Sequence, residues 1–216
     1  MSESLQPLRI DPDAVLWSAN DADRKGRPLL VLMHGYGSHE GDLFELAPYL
    51  PLGPVVASVR APIPEAGGHA WFSRGDHGPG DAGPDAADAA ARAVLDWLGT
   101  LPTAPSVGLL GFSQGAATAL QVLRLDPDAV DYTVFLSGYV ARGEHAGDAV
   151  LADRKPAVFW GRGTEDDIIP EHALERTLAW IPAHTSPDIR VYEGLAHGVS
   201  AQELTDVSAF ISARVA

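Results

Sequence analysis

The chain has no cysteine, which excludes disulfides, thiolate metal sites and a cysteine nucleophile on chemistry alone. Cations are scarce as well: 15 Lys and Arg stand against 29 Asp and Glu, for a formal net charge of −14. Neutralising phosphates takes clustered Lys and Arg, so no nucleic-acid partner is expected, and a strongly anionic substrate or membrane surface is disfavoured. Apolar runs of the roughly 18 residues needed to cross a bilayer are missing, so stable membrane insertion is not expected. Residues 1–10 carry Glu3 and Arg9 and lack the apolar stretch of a secretion signal. A soluble, cytoplasmic protein is the resulting expectation.

What is present reads as one domain over residues 1–216, since 46% hydrophobic and 20% charged residues suit an ordinary globular core. Short apolar runs alternate with segments of helical period. Strands are expected at 29–33, 55–59, 107–112, 132–136, 157–160 and 189–192, each bounded by turn formers. An antiparallel edge strand at 14–18 would join the next strand through Asn20, Asp21, Ala22, Asp23 and a turn at Gly26. Helices are expected at 43–50, 85–98, 114–125, 170–180 and 204–215; in the second, Ala91, Val94, Leu95 and Leu98 share one face. This βα rhythm implies a mainly parallel sheet with helices on both faces. The Gly/Pro-rich, acidic stretch 75–84 reads as a surface loop.

The most informative short motif is Gly111-Phe112-Ser113-Gln114-Gly115. G-x-S-x-G alone arises easily by chance, so its setting decides. An apolar run, Val107 to Leu110, precedes it, and helix-compatible Ala116 to Leu120 follows. That is the strand-turn-helix arrangement of the nucleophile elbow in the α/β-hydrolase fold. The sharp turn crowds the residues two before and two after the serine, which glycine relieves, and it sets Ser113 at a helix N-terminus that favours developing negative charge. A Gly-rich βα turn with a surface serine is the plainer alternative.

An acyl-transfer site built on Ser113 needs two N–H donors for the oxyanion. One is the backbone of Gln114. The fold takes the other from the loop after an earlier strand, here His34-Gly35-Tyr36-Gly37, which assigns Tyr36 N–H. His34 itself reads as structural, its ring bonding backbone at the strand end, and His34 with His39 lack further ligands for a metal. The base and acid must follow Ser113 in the chain. Of His145, His172, His184 and His197, only His197 sits in a Gly-flanked loop directly after a late strand. The acid should follow the preceding strand, where Glu165, Asp166 and Asp167 are adjacent and spacing does not choose among them.

In these motifs and their order the chain resembles the phospholipase/carboxylesterase family of α/β hydrolases, which includes the acyl-protein thioesterases. The resemblance runs from His34-Gly35-Tyr36-Gly37 through Arg60-Ala61-Pro62, Trp71-Phe72 and the Ser113 elbow to Gly163-Thr164-Glu165-Asp166-Asp167-Ile168-Ile169-Pro170 and Gly194-Leu195-Ala196-His197. It implies Asp166 as the acid, little or no lid, no cofactor or metal, and a small-molecule ester substrate. A homodimer is compatible with it. It also implies that Trp71 and Phe72 either wall the acyl pocket or serve the core. Two departures stand out: Ala116 replaces a glycine common in the family, and the Gly/Pro-rich loop after Phe72 replaces a more regular acidic segment. The expected activity is a serine carboxylesterase on short to medium acyl chains, with an acyl-protein thioesterase or lysophospholipase as the alternative and a non-catalytic binding protein as the remote one.

Overall fold

A computed structural model of the chain describes residues 7–74, 78–80 and 83–215. Its centre is five buried strands whose residues are apolar at nearly every position because both faces are covered. In chain order the elements are β1 (Leu16–Trp17), α1 (Asp21–Arg24), β2 (Leu29–Met33), α2 (Glu40–Phe44), β3 (Val55–Val59), β4 (Ile63–Glu65), β5 (Gly68–Ala70), α3 (Pro84–Leu98), β6 (Val107–Phe112) and α4 (Gln114–Leu125). They continue with β7 (Tyr132–Leu136), α5 (Ala146–Arg154), β8 (Ala157–Gly163), α6 (Glu171–His184), β9 (Ser186–Tyr192) and α7 (Ala201–Ser212). Seven strands form one sheet in the order β1-β3-β2-β6-β7-β8-β9, parallel throughout except for β1 against β3. This is the α/β-hydrolase architecture that the sequence led us to expect.

Side chains alternate across the sheet and feed two cores. Val31, Met33 and Leu109 face a layer formed with Ala90 and Val94 of α3, Leu120 of α4, Leu151 of α5 and Ile181 of α6. Leu30, Leu32 and Leu110 face the opposite layer, with Leu43 of α2 and Val207, Phe210 and Ile211 of α7. Among the described residues no helix is long and apolar enough to cross a membrane.

Two expectations need correction. The N-terminal edge strand does not form a hairpin with β2. Asn20 caps α1 by accepting from the amides of Ala22 and Asp23, and this turn carries β1 past β2 to pair with β3, Leu16 opposite Ser58. The helix expected at 43–50 starts earlier, at Glu40, and yields to a 3-10 turn at Ala47–Tyr49, where Pro48 cannot continue an α-helix. Within 61–84 and 139–155 lie the β4–β5 hairpin and α5, and α5 packs on α4 and α6. Of the expected surface loop at 75–84, residues 75–77, 81 and 82 lie outside the described residues, and Pro84 already opens α3.

Candidate active site

The site is assembled at the C-terminal ends of β2, β6, β8 and β9. Ser113 follows β6 directly and holds φ 54° and ψ −115°, a strained conformation for a residue with a side chain. Its N–H donates to Leu136 O at 2.9 Å, which ties the turn to β7. The flanking glycines are required by contact. A Cβ on Gly115 would lie 2.0 Å from Met33 O, and one on Gly111 would lie 2.5 Å from the Ala116 backbone. The elbow is therefore wedged between β2 and the first turn of α4, and Ser113 is held there with only 5% of its surface exposed.

His197 stands in the loop between β9 and α7. Its Nε2 lies 2.9 Å from Ser113 Oγ and its Nδ1 2.8 Å from Asp166 Oδ2. The Phe112 ring packs 4.9 Å from the imidazole centroid. Asp166 follows β8, and its other oxygen accepts the amides of Ile168 and Ile169 at 3.0 and 3.2 Å. Burial pushes the Asp166 carboxyl up, but the His197 hydrogen bond and charge and the two amides outweigh it and hold the group below the usual carboxylate range. It stays anionic at neutral pH and fixes the proton on His197 Nδ1, leaving Nε2 free to accept from Ser113 Oγ. Glu165 and Asp167, the two neighbours that spacing left open, are exposed.

The other histidines lie elsewhere. His145 caps α5 beside Gln121 and Asp88, His172 is exposed on α6, and His184 donates to Trp180 O. His34 is fully buried: its Nδ1–H donates to Gly35 O at 2.7 Å and its Nε2 accepts from the Ala61 amide at 3.1 Å. Burial lowers its pKa, so it is a neutral strut for the loop. In that loop Gly37 N–H donates to His69 O and Ser38 N–H to Gly35 O, so neither bond uses the Tyr36 N–H. Gly35 lies close to the elbow: a Cβ there would come 3.1 Å from the Phe112 ring. Gln114 N–H, at the first position of α4, has no partner inside its helix. Among the described residues no three His, Cys, Asp or Glu side chains gather as metal ligands.

Trp71 and Phe72 are core residues rather than pocket walls, exposed by 0% and 3%. The reason is the side chain of Gln114, which accepts from Trp71 N–H at 2.8 Å and donates to Phe72 O at 2.7 Å. Trp71 Nε1–H also donates to His34 O. This clamp draws the aromatic pair inward beneath the elbow. The cleft at Ser113 is lined instead by Arg74, Pro79, Gly80, Gln114, Tyr139, Ile168 and Ile169. None of Arg74, Tyr139, Ile168 or Ile169 stands out in the sequence as a pocket residue. Tyr139 lies in a loop pinned by buried Arg124, which donates to Ala141 O and Gly143 O, and by Val140 N–H on Thr177 Oγ1.

A sequence model of the phospholipase/carboxylesterase family matches residues 18–215. Among curated relatives, acyl-protein thioesterase 1 of Kluyveromyces lactis is 26% identical over 208 residues, covering 85% of this chain and 90% of the relative. Carboxylesterase SOBER1 of Arabidopsis thaliana is 28% identical over 112 residues, 51% of this chain and 49% of the relative. Among solved structures, the Bacillus cereus carboxylesterase superposes with a TM-score of 0.77 at 20% identity, covering 92% of this chain and 93% of its own. Arabidopsis SOBER1 gives 0.72 at 20% identity, with 88% and 100% covered.

Proposed function

The chain belongs to the phospholipase/carboxylesterase family of hydrolases, and on that premise we propose that it is a serine carboxylesterase whose nucleophile is Ser113. The observation that carries the reading is the continuous chain of hydrogen bonds from Ser113 Oγ through His197 to Asp166. His197 Nε2 takes the Ser113 proton as Oγ attacks the ester carbonyl. The carbonyl electrons move onto oxygen, which the N–H groups of Tyr36 and Gln114 hold. His197 returns the proton to the departing alcohol as the C–O bond breaks, leaving an acyl-enzyme. Water, deprotonated by the same imidazole, then releases the carboxylic acid. Asp166 holds the imidazole tautomer throughout and stabilises the imidazolium.

Ile168, Ile169 and Tyr139 give the cleft apolar walls that suit an acyl chain, and short to medium acyl groups are part of the proposal. A thioesterase reading is kept because two relatives bear that name over nearly their full length. Relative kcat/KM on matched oxygen esters and thioesters separates the two. For the nucleophile itself, Ser113→Ala is expected to abolish hydrolysis of p-nitrophenyl butyrate while the far-UV circular dichroism and the melting transition persist. Undiminished turnover by the folded variant contradicts the assignment.

A further inference from the structure

Arg74 is a cation placed at the nucleophile of a chain that carries a net charge of −14. Its position is fixed from three directions. Two residues upstream, Phe72 O is held by the Gln114 side chain of the elbow at 2.7 Å. Its own N–H donates to Glu65 Oε1 at 3.3 Å. Its guanidinium lies over the Tyr36 ring, 3.9 Å from the centroid, and the Tyr36 hydroxyl is anchored by donating to the same Glu65 oxygen at 2.7 Å.

This stack leaves the edge of the guanidinium, where its N–H groups point, without an ion pair among the described residues. Among the described residues the other side chains lining the cleft, Pro79, Tyr139, Ile168 and Ile169, bring no charge, and the nearby Asp166 carboxylate is committed to His197 and two amides. A planar fork of donors in the lining of a cleft whose other described walls carry no charge is suited to a carboxylate.

We propose that Arg74 is a specificity-determining residue and that the preferred substrates are esters carrying a carboxylate near the scissile carbonyl. The proposal rests on Ser113 being the nucleophile, and it modifies the expectation from bulk charge: the overall field repels anions, while Arg74 is the cation that lines the cleft among the described residues. A charge-assisted contact of this kind acts on both binding and transition state, so its loss appears in kcat/KM.

Two matched pairs test it. Monoethyl adipate against ethyl hexanoate places the carboxylate in the acyl portion, and 4-acetoxybutanoate against butyl acetate places it in the alcohol portion. Released acid is quantified by chromatography with wild type, Arg74→Gln and Arg74→Lys. In at least one pair the anionic-to-neutral ratio of kcat/KM should fall by about tenfold or more in Arg74→Gln, mainly through KM, and recover in part in Arg74→Lys. Raising ionic strength should lower the same ratio in wild type. A ratio unaltered by Arg74→Gln in both pairs overturns the inference while hydrolysis of the neutral esters leaves the esterase reading standing. An equal loss on both members of each pair also overturns it, since that is what a prop for Tyr36 would give. Hydrolysis that survives Ser113→Ala removes the premise itself.

Discussion

Asp166 and Glu203 are two carboxyl groups close to the catalytic end of β8, one in the loop that follows it and one reaching in from α7. Asp166 accepts from His197 and from two amides and is held below the usual carboxylate range. Glu203 is fully buried, and neither of its oxygens has a hydrogen-bond partner among the described residues. Burial, with a smaller push from Asp206, drives its pKa up to about 7, although the Ser200 contact opposes this. Its side chain lies against the backbone of β8: a Cβ on Gly161 would sit 1.9 Å from Glu203 Oε1. Both groups are withdrawn from water, so depth alone does not decide their state. Donors do: three of them keep Asp166 ionised at neutral pH, and their absence leaves Glu203 a neutral acid below about pH 7.

The comparison breaks most visibly at Asp166. Asp166→Asn should keep the amide contacts of Ile168 and Ile169 but present an N–H to His197 Nδ1, forcing the wrong tautomer. We expect kcat to fall by about 10⁴ with little change in thermal unfolding. A loss below about tenfold would mean that Asp166 does not orient the base.

Glu203→Gln tests the other side, and the sign follows from linkage. The folded-state pKa, about 7, lies above the ordinary value of 4.5, so between these pH values the unfolded chain releases a proton that the folded chain keeps. Wild-type stability should therefore decline from pH 4.5 to 7 on this account, by up to about 3 kcal/mol at 1.36 kcal/mol per unit. Glu203→Gln removes that decline. Urea unfolding at pH 5 and pH 8 should show the variant gaining on wild type as pH rises. Asp166 bends the curve the other way: its lowered pKa contributes stability above its unfolded value, lost as pH falls through the folded one.

A smaller effect sharpens the geometry. Gly161→Ala should destabilise wild type by driving a methyl into the Glu203 carboxyl, and much less in a Glu203→Ala background, where the space is open. The coupling from this double-mutant cycle should be about 1 kcal/mol or more. Additivity would show that Glu203 does not occupy the gap.

The same contrast explains what was legible in the sequence. Ser113 and His197 were readable because each sits where a buried strand ends in a Gly-flanked turn, a pattern that local sequence records. Asp166 needed the family resemblance, since Glu165 and Asp167 carry the same charge one residue away and only the bend at Ile168 and Ile169 selects among them. Ser200-x-x-Glu203 looks like an ordinary helix cap, and Ser200 Oγ does accept the Glu203 amide at 3.1 Å. Nothing local says that the glutamate turns inward, because the space it fills is made by Gly161 of β8, far away in sequence. Trp71 and Phe72 were hidden for a related reason: the Gln114 side chain that draws them into the core lies over forty residues away in sequence. The partner of β1 was equally unreadable, since its apolar pattern fits β2 or β3 and only the α1 turn decides. Strand interiors are written locally; long-range polar contacts are not.

The most direct test of the central claim is to react the native protein with a fluorophosphonate and locate the adduct by peptide mass spectrometry, with esterase activity followed in parallel. We expect one equivalent on Ser113, inactivation in step with labelling, and much slower labelling of Asp166→Asn. Full inactivation with the adduct on another residue, or persistent hydrolysis with Ser113 fully labelled, would contradict it.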